Sequence, residues 1–298
     1  MLRLLEISTQ PCKLSLEGKS LTVISPKGER LQRIPLDELD VLLLGHPALS
    51  ISGALLAELG RSRVAVVCCD FKSLPTAIMM PFNVGALSHE QTLEKQFNMT
   101  QPQRKRLWQQ IVREKIRGQA AVLRKYRNSS ALDGLEKAVR SGDAGNHESQ
   151  AAVLYWRTLD LFPKRSRVAE DANQCFNYAY ALLYATTARY ICAYAMHPQL
   201  SLSHCNPHNS FCLASDLMEP FRPLVDDCVI PLVNEYTGTL TPNWKRKMLE
   251  AFSSKPVSME DSSVKMPEAI RMSILSFRQC LLGTIPKIIT PNYKCIFT

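Results

Sequence analysis

The spacing of apolar residues in this chain changes period once, near residue 85, and that change limits the folds open to it. Before it, short apolar runs recur at 14–16, 21–24, 31–36, 41–44, 64–69 and 76–80, separated by turn residues such as Glu17-Gly18, Pro26-Lys27-Gly28 and Gly45-His46-Pro47. Runs of that length bounded by Gly and Pro read as strands. One helical stretch at about 50–59 interrupts them, with Ser50 or Ser52 placed to cap it and Gly60 to end it. The pattern loosens from 81 to 101, and beyond it the apolar residues recur at three and four, the period of helices packed by one face. The expectation is an α+β protein: a β-rich, sandwich-like unit over 1–85, a linker over 86–100, and a mainly α-helical catalytic unit over 101–298. A chain of 298 residues is long enough for both to bury a core.

Within the helical part, 104–127 carries nine Lys and Arg against a single acid, Glu114. At about 100° per residue, Arg106, Arg113, Arg117 and Arg124 fall within roughly 20° of one direction. Trp108, Val112, Ile116, Ala120 and Leu123 lie largely on the other side. A helix that buries an apolar stripe and presents a row of arginines can track a phosphate backbone. A solvated basic face is the blander reading, but such faces usually intersperse acids at i,i+4. The net charge of +9 also points to a polyanionic partner, nucleic acid first and an anionic membrane second.

Chemistry-bearing side chains concentrate in 204–227, where His204 and His208 precede Asp216, Glu219, Asp226 and Asp227. Asp216 and Glu219 are three apart on a helical pattern, so they share a face. Pro220 and Pro223 disfavour simple continuation and place Glu219 at a helix end or kink. Imidazole and carboxylate oxygens together suit Mn²⁺ or Mg²⁺. On residue types alone a solvated acidic face remains open, as does a structural histidine. Other chemistries have less support. The ten cysteines form no CxxC pair, and there is no Gly-rich phosphate loop and no GxSxG elbow. With no signal peptide the cysteines read as reduced thiols of a bacterial cytoplasm. The weakly charged stretch 178–196 holds Arg189, several tyrosines and two threonines, which fits a core helix better than a membrane span.

Three stretches resemble one family: LWQQIVREKIRGQA at 107–120, 146–156 with Glu148 following Asn146, and LASDLMEPFRPLVD at 213–226, preceded by His204 twelve residues before Asp216. They are similar to the CRISPR-associated adaptation endonuclease, the larger and catalytic subunit of the spacer-integration complex. That resemblance spans nearly the whole chain and implies Glu148, His204 and Glu219 as metal ligands and catalytic residues. His208 and Asp216 are accessory candidates. The basic loop at 162–170 is also similar, and Arg165 and Arg167 join the arginine row as candidate DNA contacts. The sequence departs from the family pattern at Ser201, Ser203 and His208. The resemblance further implies a homodimer, two of which flank a dimer of a small ferredoxin-like second subunit in a heterohexamer. The implied reaction joins captured double-stranded DNA fragments to CRISPR repeat DNA by Mn²⁺- or Mg²⁺-dependent transesterification. Two other readings stay open on the residues: a stand-alone metal nuclease that resolves branched DNA, and a catalytically silent DNA-binding scaffold.

Overall fold

The computed structural model describes residues 4–39, 41–69, 75–79, 81, 89–161, 166, 168, 171–194, 196–260 and 262–293. The strand-rich part contains β1 (Leu4–Ile7), β2 (Cys12–Glu17), β3 (Ser20–Ile24), β4 (Arg30–Pro35), β5 (Val41–Leu44), β6 (Leu49–Ile51), helix α1 (Gly53–Arg61), β7 (Ala65–Cys69) and β8 (Pro75–Met79). Two four-stranded sheets result, in the orders β1-β5-β7-β8 and β4-β3-β2-β6. The first is parallel from β1 to β7 and antiparallel at β8; in the second only β2 and β6 run parallel. Leu14, Leu21 and Ile34 of one sheet meet Leu42 and Val66 of the other, with Leu55 and Leu59 of α1 completing the core.

One position further along the same strands, Leu43 and Val67 enter the core of the helical part instead. Successive side chains of a strand point to opposite faces, so the β1-β5-β7-β8 sheet is buried on both. This explains why its central strands read as unbroken apolar runs, VLLL and AVVCC, rather than alternating ones. Ser52 caps α1 by accepting from Leu55 N at 3.2 Å, while Ser50 belongs to β6. The helix runs through Gly60 to Arg61.

The helical part holds α2 (His89–Phe97), α3 (Gln101–Arg127), α4 (Leu135–Ala138), α5 (His147–Leu159), α6 (Asn173–Ala193), α7 (Cys212–Leu217), α8 (Arg222–Val229), α9 (Pro242–Ser254), the hairpin β9 (Pro256–Met259) and β10 (Ser262–Lys265), and α10 (Met266–Leu281). The segment expected as a linker therefore includes a helix. Its weak apolar periodicity hid it, and tertiary bonds hold it: Gln96 accepts from His197 N and donates to the carbonyls of His197 and Leu200. The basic run Lys245, Arg246 and Lys247 lies within α9, where Trp244 and Lys245 are buried.

Helix α3 is the axis of this part. Thr100 caps its start, Asn128 ends it in the left-handed conformation, and Trp108, Val112, Ile116, Ala120 and Leu123 are buried as their period requires. The chain after α10 folds back on the body. Gln110 exchanges two hydrogen bonds with the Ile288 backbone, Ile289 N donates to Ser276 Oγ at 2.8 Å, and Asn292 N donates to Ser258 O at 2.8 Å. No helix among the described residues is long and apolar enough to cross a membrane.

Candidate active site

Three separate pieces of local structure deliver the acidic groups to one place. Glu148 stands in the first turn of α5, whose amides are capped from outside the helix. Asp143 accepts from His147 N at 2.9 Å and from Glu148 N at 3.0 Å. Asn146, at the cap position, takes a left-handed turn (φ 52°) and makes no side-chain cap bond. Glu219 opens a single 3₁₀ turn, Glu219–Phe221, that separates α7 from α8, because proline follows it directly. The Tyr293 hydroxyl, from the folded-back C-terminal segment, donates to Pro220 O and fixes that turn.

Close approach of α3 depends on Gly118. A Cβ there would lie 2.5 Å from the Tyr293 ring and 2.7 Å from Pro223, so only glycine lets α3 reach α8 and the turn before it. Lys115, one turn earlier on α3, then meets both glutamates. Its Nζ lies 2.6 Å from Glu148 Oε1 and 2.5 Å from Glu219 Oε2. Arg222 Nε donates to the other oxygen, Glu219 Oε1, at 2.7 Å. Glu219 Oε2 is thus buried against the Lys115 ammonium and Oε1 against the Arg222 guanidinium. These residues line a cavity of about 300 Å³ together with Gln119, Tyr180 and His204. A larger cleft, about 1150 Å³, opens between β1 and α9, but its carboxylates do not converge: Glu38 is exposed, Glu250 pairs with Arg246 at 2.9 Å, and Glu6, with its side chain buried, lies 3.8 Å from Lys245 and accepts from the Tyr178 hydroxyl.

His204 is held from two sides. Asp216, fully buried, accepts from Leu202 N at 2.6 Å, Ser203 N at 3.1 Å, His204 N at 3.1 Å and His204 Nδ1 at 2.6 Å. The Trp108 ring meets the imidazole edge-on, with centroids 5.3 Å apart. A carboxylate can only accept, so the proton sits on Nδ1 and the Nε2 lone pair is left for another partner. Asp216 therefore positions His204 and the loop before it. The departures at Ser201 and Ser203 leave this loop intact, since Ser201 is buried and Ser203 is held through its backbone. His208 stands apart: it is exposed, and among the described residues only its backbone N bonds, to Asn206 Oδ1.

The charges are strongly coupled. Burial would raise the Glu219 carboxyl, but Arg222 and then Lys115 outweigh it and hold the pKa at about 2. Burial would lower the Lys115 ammonium, yet Glu219 and Glu148 keep it above its ordinary value. The hydrogen bond to Asp216 raises the His204 imidazole against the opposing effect of burial. At neutral pH the Glu219 carboxylate thus faces two cations, Arg222 and Lys115.

Of the expected ligands, Glu148 and Glu219 converge, and His204 lines the same cavity. Among the described residues no three His, Cys, Asp or Glu side chains already close around one point. The place between the two carboxylates is held by the Lys115 ammonium. The donor set still fits a hard divalent cation: the buried Glu219 carboxylate, the half-buried Glu148 carboxylate and the His204 imidazole, all lining one cavity. Lys115 and Arg222 were not singled out from the sequence. A signal for Lys115 existed, since it falls seven residues after Trp108 and so inside the buried stripe of α3, where a lysine needs a charged partner.

The arginine row is present but largely engaged. Arg113 donates to Val139 O at 2.9 Å, Arg117 pairs with Glu114 at 2.5 Å and approaches Glu136 at 4.0 Å, and Arg124 pairs with Asp133 at 2.9 Å. Asp133 and Glu136 come from the segment that folds back along α3, acids invisible to a reading of that helix alone. Arg106 is exposed and has no hydrogen-bond or ion-pair partner among the described residues. Arg165 and Arg167 lie outside the described residues.

The fold has counterparts in solved structures. A casposase bound to an integration product superposes with a TM-score of 0.80 at 20% identity, covering 99% of this chain and 94% of that one. A chain of a Cas6-RT-Cas1–Cas2 complex gives 0.77 at 18% identity, covering 94% of this chain and 35% of that one. The class defined by this fold and its clustered Glu-His-Glu cavity is that of Cas1-like proteins. The model of the family described as CRISPR associated protein Cas1 matches residues 5–252, and the chain belongs to that family. The CRISPR-associated endonuclease Cas1 of Neisseria meningitidis serogroup C (strain 8013) is 35% identical over 275 residues, covering 89% of this chain and 88% of the relative.

Proposed function

We propose that this chain is the nuclease and integrase of CRISPR adaptation, joining captured DNA fragments to the repeat boundary of a CRISPR array. The observation that carries the reading is the meeting of Glu148 and Glu219 at a single cation beside His204, in a member of a family whose relatives are endonucleases. Glu148, His204 and Glu219 would hold Mn²⁺ or Mg²⁺. When bound, such an ion polarises the scissile phosphate and lowers the pKa of the attacking hydroxyl. Asp216 keeps the His204 proton on Nδ1, which leaves Nε2 of the neutral ring as the nitrogen an ion would take. Arg222 fixes one oxygen of Glu219, and the other, here against the Lys115 ammonium, is the one an ion would take. The buried Trp108 ring excludes water from one side of the imidazole.

DNA backbone would approach along the exposed side of α3, where Arg106 is available, with Arg165 and Arg167 as further candidate contacts. The active species in this reading is a homodimer, two copies flanking a small ferredoxin-like partner of the Cas2 kind in a heterohexamer of the bacterial cytoplasm. A neighbour of the same fold occurs in a complex with Cas2, which supports the partner.

The test is an integration assay with purified protein on supercoiled array DNA, with and without the small partner. Strand joining is expected only with Mn²⁺ or Mg²⁺, and it should vanish on chelation and in Glu148→Gln, His204→Ala and Glu219→Gln. The three act as a unit, so double variants should be barely worse than singles. Wild-type joining by Glu219→Gln would end the assignment.

A further inference from the structure

The Lys115 ammonium lies on the spot where the two glutamates meet, with its side chain nine-tenths buried. Lys115 and Arg222 already pair with Glu148 and Glu219, so those four groups balance without an ion, and Asp226, which also lines the cavity, accepts from the Tyr155 and Tyr180 hydroxyls. A divalent ion added between Glu148 and Glu219 would meet the Lys115 ammonium on the same spot, a costly crowding of like charge unless that cation withdraws. Arg222 has no free path, being held on Glu219 Oε1 with its guanidinium against the Tyr180 ring at 4.6 Å. Lys115 has one. Gln119, one turn further along α3, lines the same cavity, and its Oε1 is buried with no hydrogen-bond partner. Residues four apart on a helix are neighbours, within reach of a lysine side chain.

We propose that Lys115 is a resident stand-in for the ion: its ammonium bridges Glu148 and Glu219 in the ion-free protein and swings to Gln119 Oε1 when a divalent ion enters. This rests on the reading that Glu148, His204 and Glu219 hold the ion. The ammonium stays charged throughout and only its partner changes. The device has two consequences. The carboxylates stay at cation-binding distance when no ion is bound, and the ion must compete with a built-in rival.

The experiment measures Mn²⁺ binding to the full chain by calorimetry after removal of metal, beside ion-free thermal melts. Lys115→Met removes the rival and should bind Mn²⁺ at least about tenfold more tightly, because a like charge a few ångströms from a divalent ion is costly even at an effective dielectric near 20. Its ion-free melting temperature should fall and recover on adding Mn²⁺. Lys115→Arg keeps the charge and should bind no more tightly than wild type. Gln119→Leu leaves the ion-free pairs intact and removes the resting place, so it should bind Mn²⁺ more weakly with an unchanged ion-free melt. That variant also serves if Lys115→Met fails to fold. If wild type binds but Lys115→Met binds no better, or Gln119→Leu binds as well as wild type, the proposal is overturned and the metal reading stands. If wild type binds no Mn²⁺, the metal reading falls and takes the proposal with it.

Discussion

Replacing Asp216 by Asn separates what positions His204 from what holds the ion. The carboxylate accepts four hydrogen bonds, two on each oxygen, from three consecutive backbone amides and from His204 Nδ1. An asparagine offers one oxygen and turns an NH₂ group against the other pair of donors, so at least two bonds are lost. Each bond to a charged acceptor contributes about 1.5–3 kcal/mol, and relaxation of the 201–205 loop returns part of the loss, leaving about 3–4 kcal/mol. At roughly 2–4 °C per kcal/mol for a chain of this size, the ion-free melting temperature should drop by about 6–16 °C. The effect depends on pH. The folded-state pKa of His204 is raised by Asp216, so its stabilisation is fully present below the unfolded value of about 6.5 and is lost as pH rises through the folded one. The gap between wild type and variant should therefore narrow as pH increases from about 6 upward. Strand joining should persist and improve with added Mn²⁺, as losses behind a ligand typically weaken metal affinity about 10–100-fold. Glu219→Gln should abolish joining at every Mn²⁺ concentration. Calorimetric melts in chelator and a Mn²⁺ titration of joining decide it. A melt within about 2 °C of wild type, or joining in Asp216→Asn that no Mn²⁺ restores, would refute the reasoning.

Two further outcomes follow from the surrounding charges. Among the arginines of α3, Arg106→Ala should flatten the slope of log DNA affinity against log salt by about 1, whereas Arg117→Ala, already paired with Glu114, should change it less; equal effects would mean that the intramolecular pairs open on binding. Asp227 is buried among Lys125, Lys255 and Tyr126; burial pushes its carboxyl up, but the hydrogen bonds from Lys125 and Lys255 prevail and hold it below its ordinary value. A depressed carboxyl stabilises the fold above its unfolded pKa of about 3.9 and loses that contribution as pH falls through the folded value. Asp227→Asn should cost about 3 kcal/mol at neutral pH, the low end for a broken buried pair because Lys125 reaches solvent, and progressively less in acid. Denaturant melts across that range check it, and a difference independent of pH would contradict the account.

The chain's own sequence determined what depends on short-range order. The change of apolar period placed strands before helices, and the Pro220 break placed Glu219 at a helix end. These two features follow from backbone stereochemistry and from which face of an element is apolar, both written locally, whereas the set Glu148, His204 and Glu219 comes from the resemblance of three stretches to a family. Tertiary structure decided the rest, because it concerns which groups from distant elements meet. It assigned Asp216 to the His204 imidazole, twelve residues earlier, rather than to His208. The acids Asp133 and Glu136 reached the arginines of α3 only when the following segment folded back, and the C-terminal segment reached Pro220 only through the gap left by Gly118. Lys115 shows the division most sharply: its place in the buried stripe told that it needed a charged partner, and only the packing of α3 against α5 and the Glu219 turn showed that the partners are the two glutamates of the site.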